Sequence, residues 1–175
     1  MVLLKRFSLI IFLLIFSVNN LKAESKIAYL DIDSVLSNTL AGKLLLSTLQ
    51  KDEQLKIKNF KKNDEEFKND EKKILAKKNL ISKDEINKEL KSLQIKFQKY
   101  KKSKNQVIKE LKSKRNRNIV NFFNLVNPII EKYMADNSIY MLMDKKNVFI
   151  ASKNYDITNN LIKLIDNQIK TIQIK

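Results

Sequence analysis

Apolar residues recur at helical spacing through the middle of the chain and alternate with polar residues only near its ends. After an apolar stripe at residues 40–49, they thin out to one in every seven positions. This sparse series is Phe60, Phe67, Ile74 and Ile81. A fuller series then runs in steps of four and three, interrupted once by Lys104: Ile86, Leu90, Leu93, Phe97, Tyr100, Val107 and Leu111. Such steps form a heptad seam, so the pattern predicts two long helices packed side by side.

A helix start lies between the two series. Ser82 is followed three residues later by Glu85, the capping-box spacing in which each side chain accepts a hydrogen bond from the other residue's free N–H. We therefore predict the turn of a helical hairpin at residues 78–83. The return helix should continue through Val126, with Pro128 kinking or breaking it. An arm of about 40 residues would reach roughly 60 Å.

Short β-branched and aromatic segments flank the predicted helices and indicate strands. The predicted strands are residues 25–33, 139–143 and 148–152, with a turn at 144–147 that joins the last two into a hairpin. Beyond them, Asp156 or Thr158 is placed to cap a final helix with an apolar face.

The predicted fold class is α+β, a small three-stranded antiparallel body with an inserted antiparallel α-helical hairpin, or coiled-coil arm. The body would comprise residues 24–49 and 119–175, and the arm residues 50–118. A sheet of three strands has exposed edges, which invite pairing with another subunit. We therefore expect oligomerisation through the body, with the arms projecting outward.

The first residues predict an export signal. Lys5 and Arg6 give a positive start, residues 7–18 are almost entirely apolar, and a polar stretch ends at Ala23. The apolar stretch would reach about 18 Å, well short of a hydrocarbon core near 30 Å. We expect residues 1–23 to be a signal peptide cleaved after Ala23, with an uncleaved N-terminal anchor as the alternative. An exported chain without cysteine forms no disulfide, which favours the bacterial periplasm.

Composition excludes most enzyme chemistry. The 175 residues include no cysteine, no histidine, one glycine and one proline. Thiolate nucleophiles, Ser-His-Asp triads and ordinary zinc or haem sites are therefore excluded, as are glycine-rich phosphate loops. We predict a protein that is not an enzyme and needs no cofactor. Asp31 and Asp33 share one strand face and could bind a cation, but such residues more often cap the next helix or pair with lysine.

Both ends of the chain carry segments that resemble a known family. Residues 27–31, continuing through Val35 to 41–43 (Ala-Gly-Lys), resemble the N-terminal strand, Asp-containing turn and helix start of the Skp/OmpH family of periplasmic chaperones. Residues 142–146 and 155–158 are similar to the family's closing hairpin and helix cap. The resemblance covers essentially the whole chain after the predicted signal peptide.

This resemblance implies a function that the residues alone do not give. Members of the family are trimers, with a β-barrel-like core built from three subunits and three helical arms that enclose a cavity. They hold unfolded outer-membrane proteins in the periplasm without ATP. The implied partners are therefore two further copies of this chain and unfolded outer-membrane proteins. The Lys- and Asn-rich arms and the single glycine depart from the family pattern, which leaves the range of clients open.

Two sets of arm residues are candidate binding positions. The Lys-rich arms would attract acidic unfolded chains through long-range fields, while the thin apolar stripe offers weak contacts. The predicted client-contact residues are Phe60, Phe67, Ile74, Leu80 and Ile81; alternatively, they form the seam within the hairpin. The predicted basic patch is Lys96, Lys99, Lys101, Lys102, Lys104, Lys112, Lys114, Arg115 and Arg117.

The basic patch also allows an alternative function. Residues 96–117 carry ten lysines and arginines against one glutamate. Such a helix would approach anionic lipid or lipopolysaccharide, and would bind nucleic acid non-specifically. Because the cations surround a heptad helix with no recognition module, we predict no specific nucleic-acid partner.

Overall fold

A computed structural model describes residues 26–174, so the predicted signal peptide lies outside the described part. The main elements are β1 (Lys26–Leu30), α1 (Ile32–Asn38), α2 (Leu40–Ala76), α3 (Lys83–Asp136), β2 (Ile139–Asp144) and α4 (Thr158–Gln168). Short 3-10 turns occupy Lys77–Asn79, Lys145–Asn147 and Lys153–Tyr155. The predicted pair of long helices is confirmed, and none of the helices within 26–174 is long and apolar enough to cross a membrane.

The turn between α2 and α3 lies where the capping box predicts it. Glu85 N–H donates to Ser82 Oγ at 3.3 Å, and Ser82 N–H donates to Glu85 Oε2 at 3.1 Å. Both halves of the box are therefore formed, and they start α3 at Lys83. The helix then continues for 54 residues, with Pro128 inside it. Of the kink or break predicted at Pro128, the break is wrong, because the neighbouring Val126 and Ile129 anchor this turn of the helix in the core.

The only glycine of the sequence lies at the crossing of α1 and α2. Thr39 separates the two helices, and its buried hydroxyl donates to the Val35 carbonyl at 2.8 Å and accepts from Gly42 N–H at 3.2 Å. A Cβ at Gly42 would overlap the carbonyl oxygen of Leu36. Close backbone approach therefore requires glycine here, which is the physical content of the Ala-Gly-Lys helix start.

The sheet differs from the prediction. β1 and β2 pair in parallel, with Ala28 opposite Leu142 and Leu30 opposite Asp144, and they form the two-stranded sheet of the described residues. The predicted three-stranded antiparallel body and its 148–152 strand are therefore wrong for this protomer. The chain instead leaves β2 through a 3-10 turn and reaches the other edge of β1, where Ile157 N–H donates to the Tyr29 carbonyl at 3.1 Å.

One hydrophobic core joins the two ends of the chain. Phe122, Leu45, Leu161, Ile165 and Val126 are essentially inaccessible to solvent and come from α2, α3 and α4. Ala28, Leu30 and Val35 complete the same cluster from the N-terminal side. The long hairpin is thus an insertion between two segments of the chain that pack together in one core.

The N-cap residue of α4 is Ile157, which makes no side-chain cap hydrogen bond, so the predicted cap by Asp156 or Thr158 is wrong. Asp156 Oδ1 instead accepts from Thr158 N–H at 3.0 Å and from the Thr158 hydroxyl at 2.5 Å just before the helix, and the same hydroxyl accepts from Asp31 N–H at 3.0 Å. Thr158 itself is the first residue of the helix. The Thr158 hydroxyl therefore ties the start of α4 to the end of β1.

Candidate binding surface of the helical hairpin

Salt bridges join α2 and α3, the two arms of the hairpin, at three levels. Each runs from a lysine to a carboxylate on the opposite arm or at its end. From the body to the tip they are Lys114–Asp52 at 2.9 Å, Lys104–Asp64 at 2.7 Å and Lys77–Glu89 at 3.0 Å. Their spacing fixes the antiparallel register of α2 against α3, and we call them the base, middle and tip bridges.

Aromatic side chains pack beside the middle bridge. The Phe67 ring centroid lies 5.3 Å from that of Phe97 in an edge-to-face arrangement, and 5.2 Å from that of Tyr100. The Tyr100 hydroxyl donates to the Phe60 carbonyl at 3.0 Å, and Lys104 Nζ lies 5.5 Å from the Phe60 ring centroid. Aromatic pairs and cation–π contacts of this geometry each contribute about 0.5–1.5 kcal/mol. This cluster packs α2 against α3 at the level of the middle bridge.

The hairpin opens on either side of the middle bridge. Between the base and middle bridges lies a cavity of about 540 Å³, which we call the proximal cavity. A distal cavity of about 800 Å³ extends from the middle bridge toward the tip, with Leu90 and Leu93 in its wall. The seam is therefore a series of contact points with spaces between them, because the second heptad position of α2 is mostly polar.

The predicted client-contact residues occupy different environments. Phe60, Phe67, Ile74 and Ile81 are partly buried, and Phe60 and Phe67 belong to the aromatic cluster between the arms. Leu80 lies at the hairpin tip and is 82% exposed. The structure therefore brings the first two into the seam and leaves Leu80 open to solvent.

The predicted basic patch divides into paired and open cations. Lys104 and Lys114 form the middle and base bridges. The open cations of the patch are Lys96, Lys99, Lys101, Lys102, Lys112, Arg115 and Arg117, all of which are exposed. Most of the patch is thus a solvent-exposed face of α3, whereas two of its lysines form salt bridges between the arms.

Lysines after β2 neutralise the carboxylates around the end of β1. Asp31 Oδ1 accepts from Ser34 N–H at 2.9 Å, and this backbone hydrogen bond is the main reason why its pKa lies below the ordinary value. Lys146 Nζ lies 2.6 Å from Asp33 Oδ2, and Lys145 Nζ lies 3.5 Å from Asp156 Oδ2. Asp31 and Asp33 therefore act as helix cap and ion-pair partner, and residues 26–174 contain no cluster of three potential metal ligands.

The comparisons with known proteins agree with this architecture. The family model described as "Outer membrane protein (OmpH-like)" matches residues 26–165. The chain belongs to the OmpH-like family. No curated protein matches the sequence. Among solved structures, a protein of Caulobacter crescentus CB15 assigned as an outer membrane chaperone (OmpH-like) superposes with a TM-score of 0.75 at 20% identity, covering 85% of this chain and 88% of that one.

The family assignment confirms the resemblance drawn from the two chain ends. The OmpH-like match spans the arms as well as both parts of the body, and the Caulobacter structure shares the fold over 85% of this chain. The OmpH-like fold is thus a mostly helical α+β architecture with long helices and a small sheet.

Sequence reasoning missed several exposed apolar residues on the OmpH-like arms. They lie outside the heptad series: Leu55, Ile57, Leu75, Ile95 and Ile108. Ile57 and Ile108 line the proximal cavity. The available signal was their position outside the heptad series, since an apolar residue of a two-helix hairpin that does not contribute to the seam stays at least partly exposed. These side chains enlarge the apolar surface that the arms present.

Replacing Lys104 by methionine is expected to raise the pKa of Asp64. The hydrogen bond from Lys104 holds this pKa below its ordinary value of 3.8. A lowered carboxylate pKa stabilises the hairpin at pH values above 3.8, and this contribution is lost as the pH falls through the lowered pKa. NMR titration of the Asp64 carboxyl carbon measures the change, with Lys102→Met as the matched control. Equal pKa values in the two variants would contradict the middle bridge.

Proposed function

We propose that this OmpH-like protein is an ATP-independent holdase chaperone of the periplasm, which binds unfolded outer-membrane proteins between the cationic arms of a homotrimer. Chaperone activity is what the Caulobacter protein of the same fold has been assigned. The observation that carries the proposal is the arm surface, where single exposed apolar residues stand among lysines on two long helices. Such a surface offers many weak contacts and no unique interface, which suits a partner without fixed structure.

The trimer in this proposal is supported by the segment that the protomer leaves uncovered. Phe149 is fully exposed and Ile150 is 85% exposed, in a stretch whose composition favours a strand. Tyr140 and Met141 on β2 are also exposed. Exposed large apolar side chains of this kind mark an interaction site, and an open sheet edge can be completed by a strand from another copy.

Electrostatic attraction is the second support. Seven open cations of the basic patch face solvent, and a cationic cleft raises the local concentration of acidic partners. The same cations would attract anionic lipid or lipopolysaccharide, which we propose as an accessory interaction that places the protein near the envelope surface.

Aggregation of a urea-unfolded outer-membrane β-barrel protein, diluted into buffer and followed by light scattering, tests the function. The protein should suppress scattering at low salt and lose most of this effect in molar salt, where the screening length falls from about 10 Å to about 3 Å. Protection that is absent at every salt concentration would refute the holdase. Protection that is unchanged in molar salt would refute its electrostatic part.

Charge reversal supplies the matched variants for this assay. Replacing Lys96, Lys99, Lys101 and Lys102 by glutamate should weaken protection. The change removes the attraction of α3 for an acidic client without altering the salt bridges between the arms. The control reverses the same number of exposed lysines on the body: Lys26, Lys43, Lys153 and Lys163. Equal loss in both variants would show that net charge, and not the arm, is responsible.

A further inference from the structure

The proximal cavity has the walls of a binding site. Its apolar lining residues are Ile57 and Phe60 of α2 and Ile108 and Leu111 of α3, with Leu49 at the end nearest the body. Its volume of about 540 Å³ lies within the range of roughly 300–1,000 Å³ that is typical of ligand pockets. The cavity is thus lined by apolar side chains from both helices. It is accessible from solvent because Ile57 and Ile108 are exposed.

Charges around the proximal cavity favour an anion. Among its lining residues, Lys104 and Lys114 are engaged by Asp64 and Asp52 in the middle and base bridges. The remaining charged lining residues are Lys61, Lys112 and Arg115 against Glu53, and all four are exposed. The rim therefore carries excess positive charge over an apolar floor.

The base and middle bridges close the proximal cavity along the hairpin axis. A long acyl chain would have to pass one of these bridges to lie along the seam. A compact side chain that enters from the open side would not. The shape therefore favours an apolar side chain of a polypeptide over a lipid tail.

We propose that the proximal cavity binds a large aliphatic or aromatic side chain of an extended client segment, while Lys112, Arg115 or Lys61 pairs with an acidic residue next to it in that segment. This site deepens the proposed function and rests on it. It gives each hairpin a recessed binding position between its two helices, in addition to the exposed contacts along its surface.

Two isoleucines of α3 provide the matched test. Ile108 lines the proximal cavity and is 44% exposed, whereas Ile95 lines neither cavity and is 51% exposed. The probe is a fluorescein-labelled, unstructured peptide of alternating leucine or phenylalanine and aspartate, with binding followed by fluorescence anisotropy. Ile108→Glu should weaken binding about tenfold or more, the expected loss when one buried apolar contact is removed. Ile95→Glu should change it less than about twofold, since that residue supplies only one of many weak surface contacts and no recessed binding position.

A second pair on α2 keeps the test independent of any one variant. Ile57→Glu alters the cavity wall, and Leu55→Glu alters a neighbouring exposed residue outside it. Circular dichroism confirms that each variant is folded. A version of the peptide with lysine in place of aspartate should bind more weakly to the unaltered protein. Equal losses within both pairs, or a preference for the lysine peptide, would overturn the proposal.

Two further readouts separate the possible failures. If Ile108→Glu binds the peptide normally while the unaltered protein still suppresses aggregation, the cavity site is refuted and the holdase function stands. If peptide binding depends on Ile108 but aggregation is never suppressed, the holdase function is refuted instead. Displacement of the peptide by vesicles of anionic lipid, with the same dependence on Ile108, would reassign the cavity to lipid and overturn the peptide proposal.

Discussion

Replacing both Phe149 and Ile150 by aspartate is expected to leave the protein monomeric. Phe149 and Ile150 contribute nothing to the core of the protomer, because both are almost completely exposed. In the proposed trimer they would be covered, and burying a large apolar side chain contributes about 1.5–3 kcal/mol. Phe149→Asp with Ile150→Asp removes that gain and adds the desolvation of two carboxylates in every subunit. Light scattering coupled to size-exclusion chromatography measures the mass over a range of concentrations.

The control for this experiment is at the other end of the molecule. Leu80 is as exposed as Ile150 but lies at the hairpin tip, so Leu80→Asp should leave the mass unchanged. Both variants should keep the helical circular dichroism of the unaltered protein. A double variant that stays oligomeric, or an unaltered protein that is monomeric at micromolar concentration, would contradict assembly through this segment.

Phe122→Ala is expected to destabilise the body by about 3–5 kcal/mol, the usual loss for a buried phenylalanine. Phe122 is 1% exposed and lies in the cluster that joins α2, α3 and α4. Its removal leaves a cavity that surrounding side chains fill only partly. Equilibrium unfolding in guanidinium chloride gives the change in the free energy of unfolding. All proteins must be compared at one concentration, because assembly adds to apparent stability.

Val120→Ala is the matched control for Phe122→Ala. Val120 is on the same helix, two residues earlier, and its side chain is 56% exposed. Its truncation should change the free energy of unfolding by less than about 0.5 kcal/mol. If the two substitutions had similar effects, the core would not be organised around Phe122.

Local signals predicted the arms well. The steps of four and three between Ile86 and Leu111 continue for several heptads, and the Ser82–Glu85 box needs only residues that are adjacent on the chain. Pairing of the strands depends on residues far apart, and there the prediction failed. The stretch 148–152 has the composition of a strand, but composition does not say which edge, or which copy of the chain, will pair with it.

The candidate site was predictable only in part. Heptad spacing identified Phe60 and Phe67 as one face of α2, yet a face can turn toward the partner helix or toward a client. The register of Lys104 against Asp64 decides this, and a register between helices is set by all their contacts together. The cavities follow from the same register, so no local pattern could have revealed them.

The parallel pairing of β1 with β2 also bears on how the body forms. Ala28 meets Leu142, a partner more than a hundred residues away, and closing so long a chain carries a large entropic penalty. The arms reduce this penalty, since the nearby contacts of the hairpin can form first. Once they have formed, α2 and α3 return to the body together, with the base bridge holding them side by side. Formation of the hairpin thus brings β2 close to β1, so that the two strands can pair at a reduced entropic cost.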